Sequence, residues 1–167
     1  TVIQPNVAFY EIEKNIAHLT KMISDARAKR PFNLLVLPET FPSGFTSAPQ
    51  RVAEPYPSSP SLQWMISLAR SYQSAVAGSI YVEEGGKYYN RLFFVYPDGT
   101  YVHYDKKHLY TMGNERDLTT PGDKKVIVEY LGWRFCLAVC YDLRFPIWLR
   151  NTPAEPYDVL LIVACWR

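Results

Sequence analysis

The chain has 167 residues, of which 48% are hydrophobic and 20% charged, with a formal net charge of +2. That is the size of one domain with a real core, and the composition is too apolar for a disordered segment. The small charge argues against nucleic acid or an anionic membrane as partner, and no apolar run approaches the roughly 20 residues of a spanning helix.

Val2 to Val7 reads as a short strand. Ile12 to Lys29 reads as a helix, because Ile16, Leu19, Ile23 and Ala26 recur at helical spacing, with acids early and bases late. Leu34 to Leu37 is an apolar strand that Pro38-Glu39-Thr40 ends abruptly. Phe41 to Pro60, rich in Pro, Ser and Gly, reads as a long loop of the kind that often carries function. Ser61 to Tyr72 is a second helix, with Ser59 or Ser61 as its cap. Ala75 to Val82, Tyr88 to Tyr96 and Tyr101 to Tyr104 form a meander whose turns are Glu84–Lys87 and Pro97–Thr100. Asp105-Lys106-Lys107-His108-Leu109 follows, and then a polar loop from Thr111 to Lys124. Val126 to Tyr130 and Trp133 to Val139 make a hairpin leading into Cys140, and Pro146 is placed to open a helix over Ile147–Arg150. Val159 to Ala164 is a continuous apolar run of the kind found in sheets covered on both faces. This order of elements predicts a mixed α/β layered domain without internal repeats. The chain lacks an initiator Met, starts on a strand already under way and stops after an uncovered strand, so it is expected to be a piece of something longer.

Three cysteines, an odd number, do not suggest a disulfide framework and fit a reducing, cytoplasmic compartment, and no signal peptide is visible. Cys136 and Cys140 lie in or at the end of a strand with no CxxC or His-rich partner, so no metal is expected. Cys140 itself stands where a buried strand meets a sharp turn. A thiol there can face a pocket while the backbone N–H groups that follow point into the same space, Tyr141 N–H first. Acyl chemistry needs those two things, a nucleophile and a place for an oxyanion. The competing view is that an unpaired cysteine is a small buried hydrophobe.

Glu39, Lys106 and Cys140 each end a strand, and ligands of open α/β sheets collect at strand ends. If the three meet, Glu39 can take the thiol proton and the Lys106 ammonium can favour the thiolate and then the oxyanion. Glu39 could equally be a solvated or capping residue, and Lys106 and Lys107 ordinary surface charges. A Cys140–His108 dyad is the less favoured arrangement.

Leu37-Pro38-Glu39-Thr40, Tyr104-Asp105-Lys106-Lys107-His108-Leu109 and Val139-Cys140-Tyr141-Asp142-Leu143-Arg144-Phe145-Pro146 resemble the three signature segments of the nitrilase, or carbon–nitrogen hydrolase, superfamily. The resemblance covers essentially the whole chain. It implies a Glu39–Lys106–Cys140 triad, with Glu115 as a second glutamate that helps position the lysine and the substrate. It also implies a four-layer αββα sandwich, here lacking its C-terminal part, that dimerises or assembles further, and a chemistry without cofactor. The CYDLRFP wording looks like the omega-amidases, which release ammonia from the terminal amide of 2-oxo dicarboxylic monoamides such as 2-oxoglutaramate. Arg144, the nearest basic residue to the nucleophile, is then a candidate for the far carboxylate of the substrate, or else a partner of Asp142 or Glu39. The same resemblance leaves open an N-carbamoylase, a nitrilase or an amidase for deaminated glutathione, and a non-catalytic scaffold on this fold.

Overall fold

The structure is a computed structural model and describes residues 1–166. Helix α1 (Ile12–Lys29) has the bounds its periodicity predicts, and it buries Leu19 and Ile23. Helix α2 (Pro60–Tyr72) starts one residue earlier than expected. Pro60 occupies the first turn, and Ser59, not Ser61, is the cap, its side chain accepting the Leu62 N–H at 3.1 Å. Both helices pack on one face of a sheet made of β1 (Leu34–Val36), β2 (Glu54–Pro55), β3 (Ala75–Glu84), β4 (Lys87–Val95) and β5 (Tyr101–Asp105). β1 and β2 run parallel to β3, while β3, β4 and β5 form the expected antiparallel meander.

The period of two sorts each strand between two cores. Val76, Ile80, Val82, Phe93 and Val95 face the helices. Ala75, Ala77, Leu92, Phe94 and Tyr104 face a second sheet of β6 (Ile127–Tyr130), β7 (Trp133–Val139) and β8 (Val159–Val163), meeting Val128, Phe135, Leu137, Val139, Leu161 and Val163. The layers are therefore helix, sheet, sheet, which are three of the four expected. The catalytic candidates sit where inner-facing strand ends of both sheets converge.

Four local expectations are corrected. Val2–Val7 is not a strand: only Val2 bridges to Val36, and Pro5, which has no N–H, ends the pairing. No helix opens at Pro146. The helical turn instead begins at Cys140, as a 3₁₀ segment over Cys140–Arg144. One further turn follows it, and then the Asn151 side chain takes the backbone N–H and C=O of Tyr157 and leads the chain away from the helical path. The Thr111–Lys124 segment is not all loop, because a one-turn helix α3 (Glu115–Leu118) lies inside it. β8 is covered on one face, by Leu161 and Val163, whereas Leu160 and Ile162 are half-buried.

Gly122 fixes the approach of that segment to the site. Its N–H donates to the Lys106 carbonyl at 3.0 Å, and a Cβ on it would overlap the Asp105 carbonyl oxygen. The obstacle is backbone, so Gly122→Ala is expected to destabilise the fold by about 1–3 kcal/mol, read as a lower melting temperature.

Candidate active site

Each functional side chain is delivered by a strand end, and each end is pinned separately. After β1, the Thr40 N–H donates to Ser79 Oγ at 2.8 Å and the Phe41 N–H to Ser79 O at 3.2 Å, so the turn that carries Glu39 is tied to β3. Thr40 takes a left-handed φ of 45° to make that turn. Buried Asn15 on α1 holds the loop from behind: it receives the Ala8 N–H and donates to the carbonyls of Ala8 and Pro42. Lys106 ends β5 with its N–H on the Asn90 carbonyl at 3.0 Å. Cys140 follows β7 with a φ of 46°, a conformation costly for a residue with a Cβ, of order 1–3 kcal/mol, and one that cores do not adopt without need.

These ends meet. Glu39, Phe45, Lys106, Tyr110, Cys140, Tyr141, Cys165 and Trp166 line one cavity of about 170 Å³. Lys106 Nζ donates to Glu39 Oε1 at 2.8 Å and to both oxygens of Glu115, at 3.2 and 3.0 Å. All three side chains are buried. Glu115 also receives the Tyr110 N–H at 2.7 Å, and Glu39 Oε2 receives the Cys165 N–H at 3.0 Å. Cys140 lines this cavity beside Glu39, whose carboxylate acts on its thiol.

Burial pushes the Cys140 thiol up to about 12, and the Glu39 carboxylate adds to that rise. Lys106 and the Cys165 N–H pull the other way without overcoming it. Cys140 therefore rests as a neutral thiol beside the Glu39 carboxyl group. Sequence reasoning expected Lys106 to favour the thiolate; its effect has that sign but is the smaller one. Burial alone would lower the Lys106 pKa, yet the two carboxylates raise it above the ordinary lysine value, so it stays an ammonium. Burial holds Glu115 above the usual carboxylate range, with Lys106 and the Tyr110 N–H working against the shift.

The lysine segment and the nucleophile turn are joined by a residue that sequence reasoning passed over. Fully buried Asp142 accepts from the Tyr104 hydroxyl at 2.7 Å, the His108 N–H at 2.9 Å and the Val139 N–H at 3.0 Å, and its Oδ1 lies 2.8 Å from His108 Nδ1. His108 stacks on Phe145 and serves this strut, and it does not line the catalytic cavity. Arg144 does not line it either. Its guanidinium lies 5.4 Å from the centre of the Trp166 ring at the rim, and neither Asp142 nor Glu39 pairs with it. Tyr141 lines the cavity and packs edge-on against Tyr110. Asn90 was missed as well, although its place in Tyr88-Tyr89-Asn90-Arg91-Leu92-Phe93-Phe94 puts it two and four residues from inner-facing Leu92 and Phe94. A lone amide on an apolar face is the signal that could have found it.

Among the described residues, no group of three or more His, Cys, Asp or Glu is arranged to hold a metal ion, and no helix is long and apolar enough to cross a membrane. No disulfide joins the three cysteines.

Comparison with known proteins places this geometry. The chain is 35% identical over 166 residues to omega-amidase YafV of Escherichia coli, covering 99% of this chain and 62% of that protein. It is 28% identical over 136 residues to 2-oxoglutaramate amidase of Bacillus subtilis, covering 80% of this chain and 52% of that one. Its fold superposes on XC1258 of Xanthomonas campestris, a CN-hydrolase superfamily protein with an arsenic adduct in its active site. The TM-score is 0.90 at 31% identity, over 99% of this chain and 64% of that chain. The chain thus spans somewhat less than two thirds of the length of these relatives. With the carbon-nitrogen hydrolase family model matching residues 1–166 and the strand-end triad of that resemblance assembled around one cavity, the chain belongs to the carbon–nitrogen hydrolase family.

Proposed function

We propose that the protein is a thiol amidohydrolase that releases ammonia from a small linear amide, most naturally the terminal amide of a 2-oxo dicarboxylic acid such as 2-oxoglutaramate. The observation that carries this reading is that Cys140, Glu39 and Lys106 line one small cavity, with the Lys106 ammonium bound to the Glu39 carboxylate at 2.8 Å. The likeness to YafV and to the Bacillus enzyme supports the choice of amide.

In the proposed cycle Cys140 Sγ attacks the amide carbon while Glu39 takes the thiol proton. The oxyanion is met by the positive charge of Lys106, which lines the cavity, and by the Tyr141 N–H at the start of the 3₁₀ turn, which has no carbonyl to bond within that turn. Collapse of the tetrahedral intermediate breaks the C–N bond. Glu39 returns its proton to the leaving nitrogen, and ammonia departs from a Cys140 thioester. Glu39 then takes a proton from water, whose oxygen attacks the thioester carbon, and gives that proton back to the leaving thiolate. One carboxylate acts twice, and no cofactor is required.

Arg144, held against Trp166 at the rim, is proposed to meet the far carboxylate of the substrate as it enters. The exposed Met112, Leu143 and Ile147 would give a homodimer or larger homo-oligomer an apolar contact surface. A reducing, cytoplasmic setting suits a nucleophilic thiol. The test is incubation of the protein with 2-oxoglutaramate while ammonia is measured, alongside an N-carbamoyl amino acid, a nitrile and deaminated glutathione. Preferred turnover of 2-oxoglutaramate is expected. Preference for another member of the panel would refute the choice of amide, and turnover of none would refute the hydrolase reading.

A further inference from the structure

The pairing of three strands sets a row of side chains across the inner face of the first sheet. Tyr81 on β3 is opposite Asn90 on β4, and Asn90 is opposite Lys106 at the end of β5, whose N–H it accepts through its carbonyl. Asn90 is 1% exposed. Its Nδ2 donates to Glu39 Oε1 at 2.9 Å and to Glu115 Oε1 at 3.2 Å, the same two oxygens that Lys106 Nζ holds from the other side. Two carboxylates therefore share one cation and one neutral amide. The amide has a single workable orientation, because turning it over would set its oxygen against two anions. In that orientation its Oδ1 is buried with no hydrogen-bond partner among the described residues. A side chain that leaves its acceptor unpaired to present both its donors is being used for those donors.

We infer that Asn90 is a positioning residue that holds Glu39 and Glu115 together around a single lysine and reserves one oxygen of Glu39 for the nucleophile. This inference rests on the amidase reading for its chemistry but not for its test. Glu39 Oε1 is filled by Lys106 and Asn90. Oε2 accepts the Cys165 N–H, and its second lone pair can take the Cys140 proton. Without the amide, Glu39 loses its second donor on Oε1, and one ammonium must serve two anions. The titratable groups around the pair are Lys106, Tyr81, Cys140 and Cys165, each from a different strand end or face.

The test is the rate of Cys140 alkylation by iodoacetamide against pH, which needs no amide substrate, with the site confirmed by peptide mass spectrometry. Two variants are compared with wild type. Asn90→Leu removes both donors at similar volume, and Asn90→Asp keeps the shape while adding a third acid. The acid limb of the profile is expected to move upward by about one pH unit in Asn90→Leu, because a proton shared between the two carboxylates disables Glu39 as the base, and further in Asn90→Asp. A residue that merely fills space would lower the melting temperature and leave the limb in place. An unmoved limb in whichever variant is folded overturns the inference, whatever the amidase assay shows. Failure on every amide together with a shifted limb would strike the proposed function and leave the role of Asn90 standing.

Discussion

Glu39→Gln is expected to lower ammonia release at pH 7 by about 10³–10⁴-fold while leaving the protein folded. The glutamine keeps a carbonyl oxygen for the Lys106 ammonium, which Glu39 holds at 2.8 Å, so the change falls on the base and spares most of the packing. The size of the loss follows from the state of the nucleophile. With the thiol at about 12, the fraction ionised at pH 7 is on the order of 10⁻⁵, too small to sustain turnover unless a base removes the proton during attack. In the variant the only route left is the pre-formed thiolate. Its residual rate should therefore climb about tenfold per pH unit from pH 7 towards 9, since burial, the larger cause of the raised thiol, persists when the carboxylate is gone. Wild type should show no such climb over that range. Cys140→Ala, with no thiolate to recover, should stay at background throughout. Initial rates of ammonia formation across pH for the three proteins decide the matter. A loss under tenfold in Glu39→Gln, or a residual rate flat in pH, would show that the thiol is deprotonated by another group.

Much of this site could be read before its coordinates, and the parts that could not share a physical reason. Glu39, Lys106 and Cys140 are visible because each stands where a strand ends, a local pattern that topology turns into proximity. α1 was legible to the residue because its periodicity is long and Pro31 stops it. Asn90 and Asp142 carry no such mark. Their partners lie 51 and 38 residues away in the chain, at Glu39 and Tyr104, and nothing in the local sequence states which distant group a buried polar atom will meet. Glu115 was reached through resemblance alone, since its helix of four residues is too short to have a period. The helix expected at Pro146 failed for the opposite reason. The proline signal is real, but the side chain of Asp142 bonds the Val139 N–H, and the turn starts at Cys140 instead. The role expected of Arg144 depended on reach, which spacing along the chain does not supply.

Lys106→Met is expected to cost about 3–5 kcal/mol of stability as well as the activity, and to change how stability depends on pH. The ammonium is buried between Glu39 and Glu115, both also buried. Methionine restores much of the volume and none of the charge, so two carboxylates are left in one dry space with Asn90 as their shared donor. The folded protein then binds a proton between them at a pH where the unfolded chain binds none. Stability varies with pH in proportion to the protons bound unfolded minus those bound folded, so it must fall as pH rises from about 5 to 8. In wild type the lysine pKa is raised by its partners, and its contribution is complete below the ordinary lysine value of 10.5 and lost only as pH climbs beyond it. The slope that burial of Glu115 introduces just above its unfolded value of 4.5 has the same sign as in the variant, but Lys106 opposes it. Wild-type melting temperatures should therefore fall from pH 5 to 8 much less steeply than those of the variant. Those of the variant should start about 10 °C lower near neutrality, taking roughly 2–4 °C per kcal/mol for a domain of this size, and recover on acidification. Parallel thermal profiles for the two proteins would mean that the carboxylates do not depend on one shared cation. Since the same ammonium is the proposed partner of the oxyanion, the mechanism would then lose its electrostatic half.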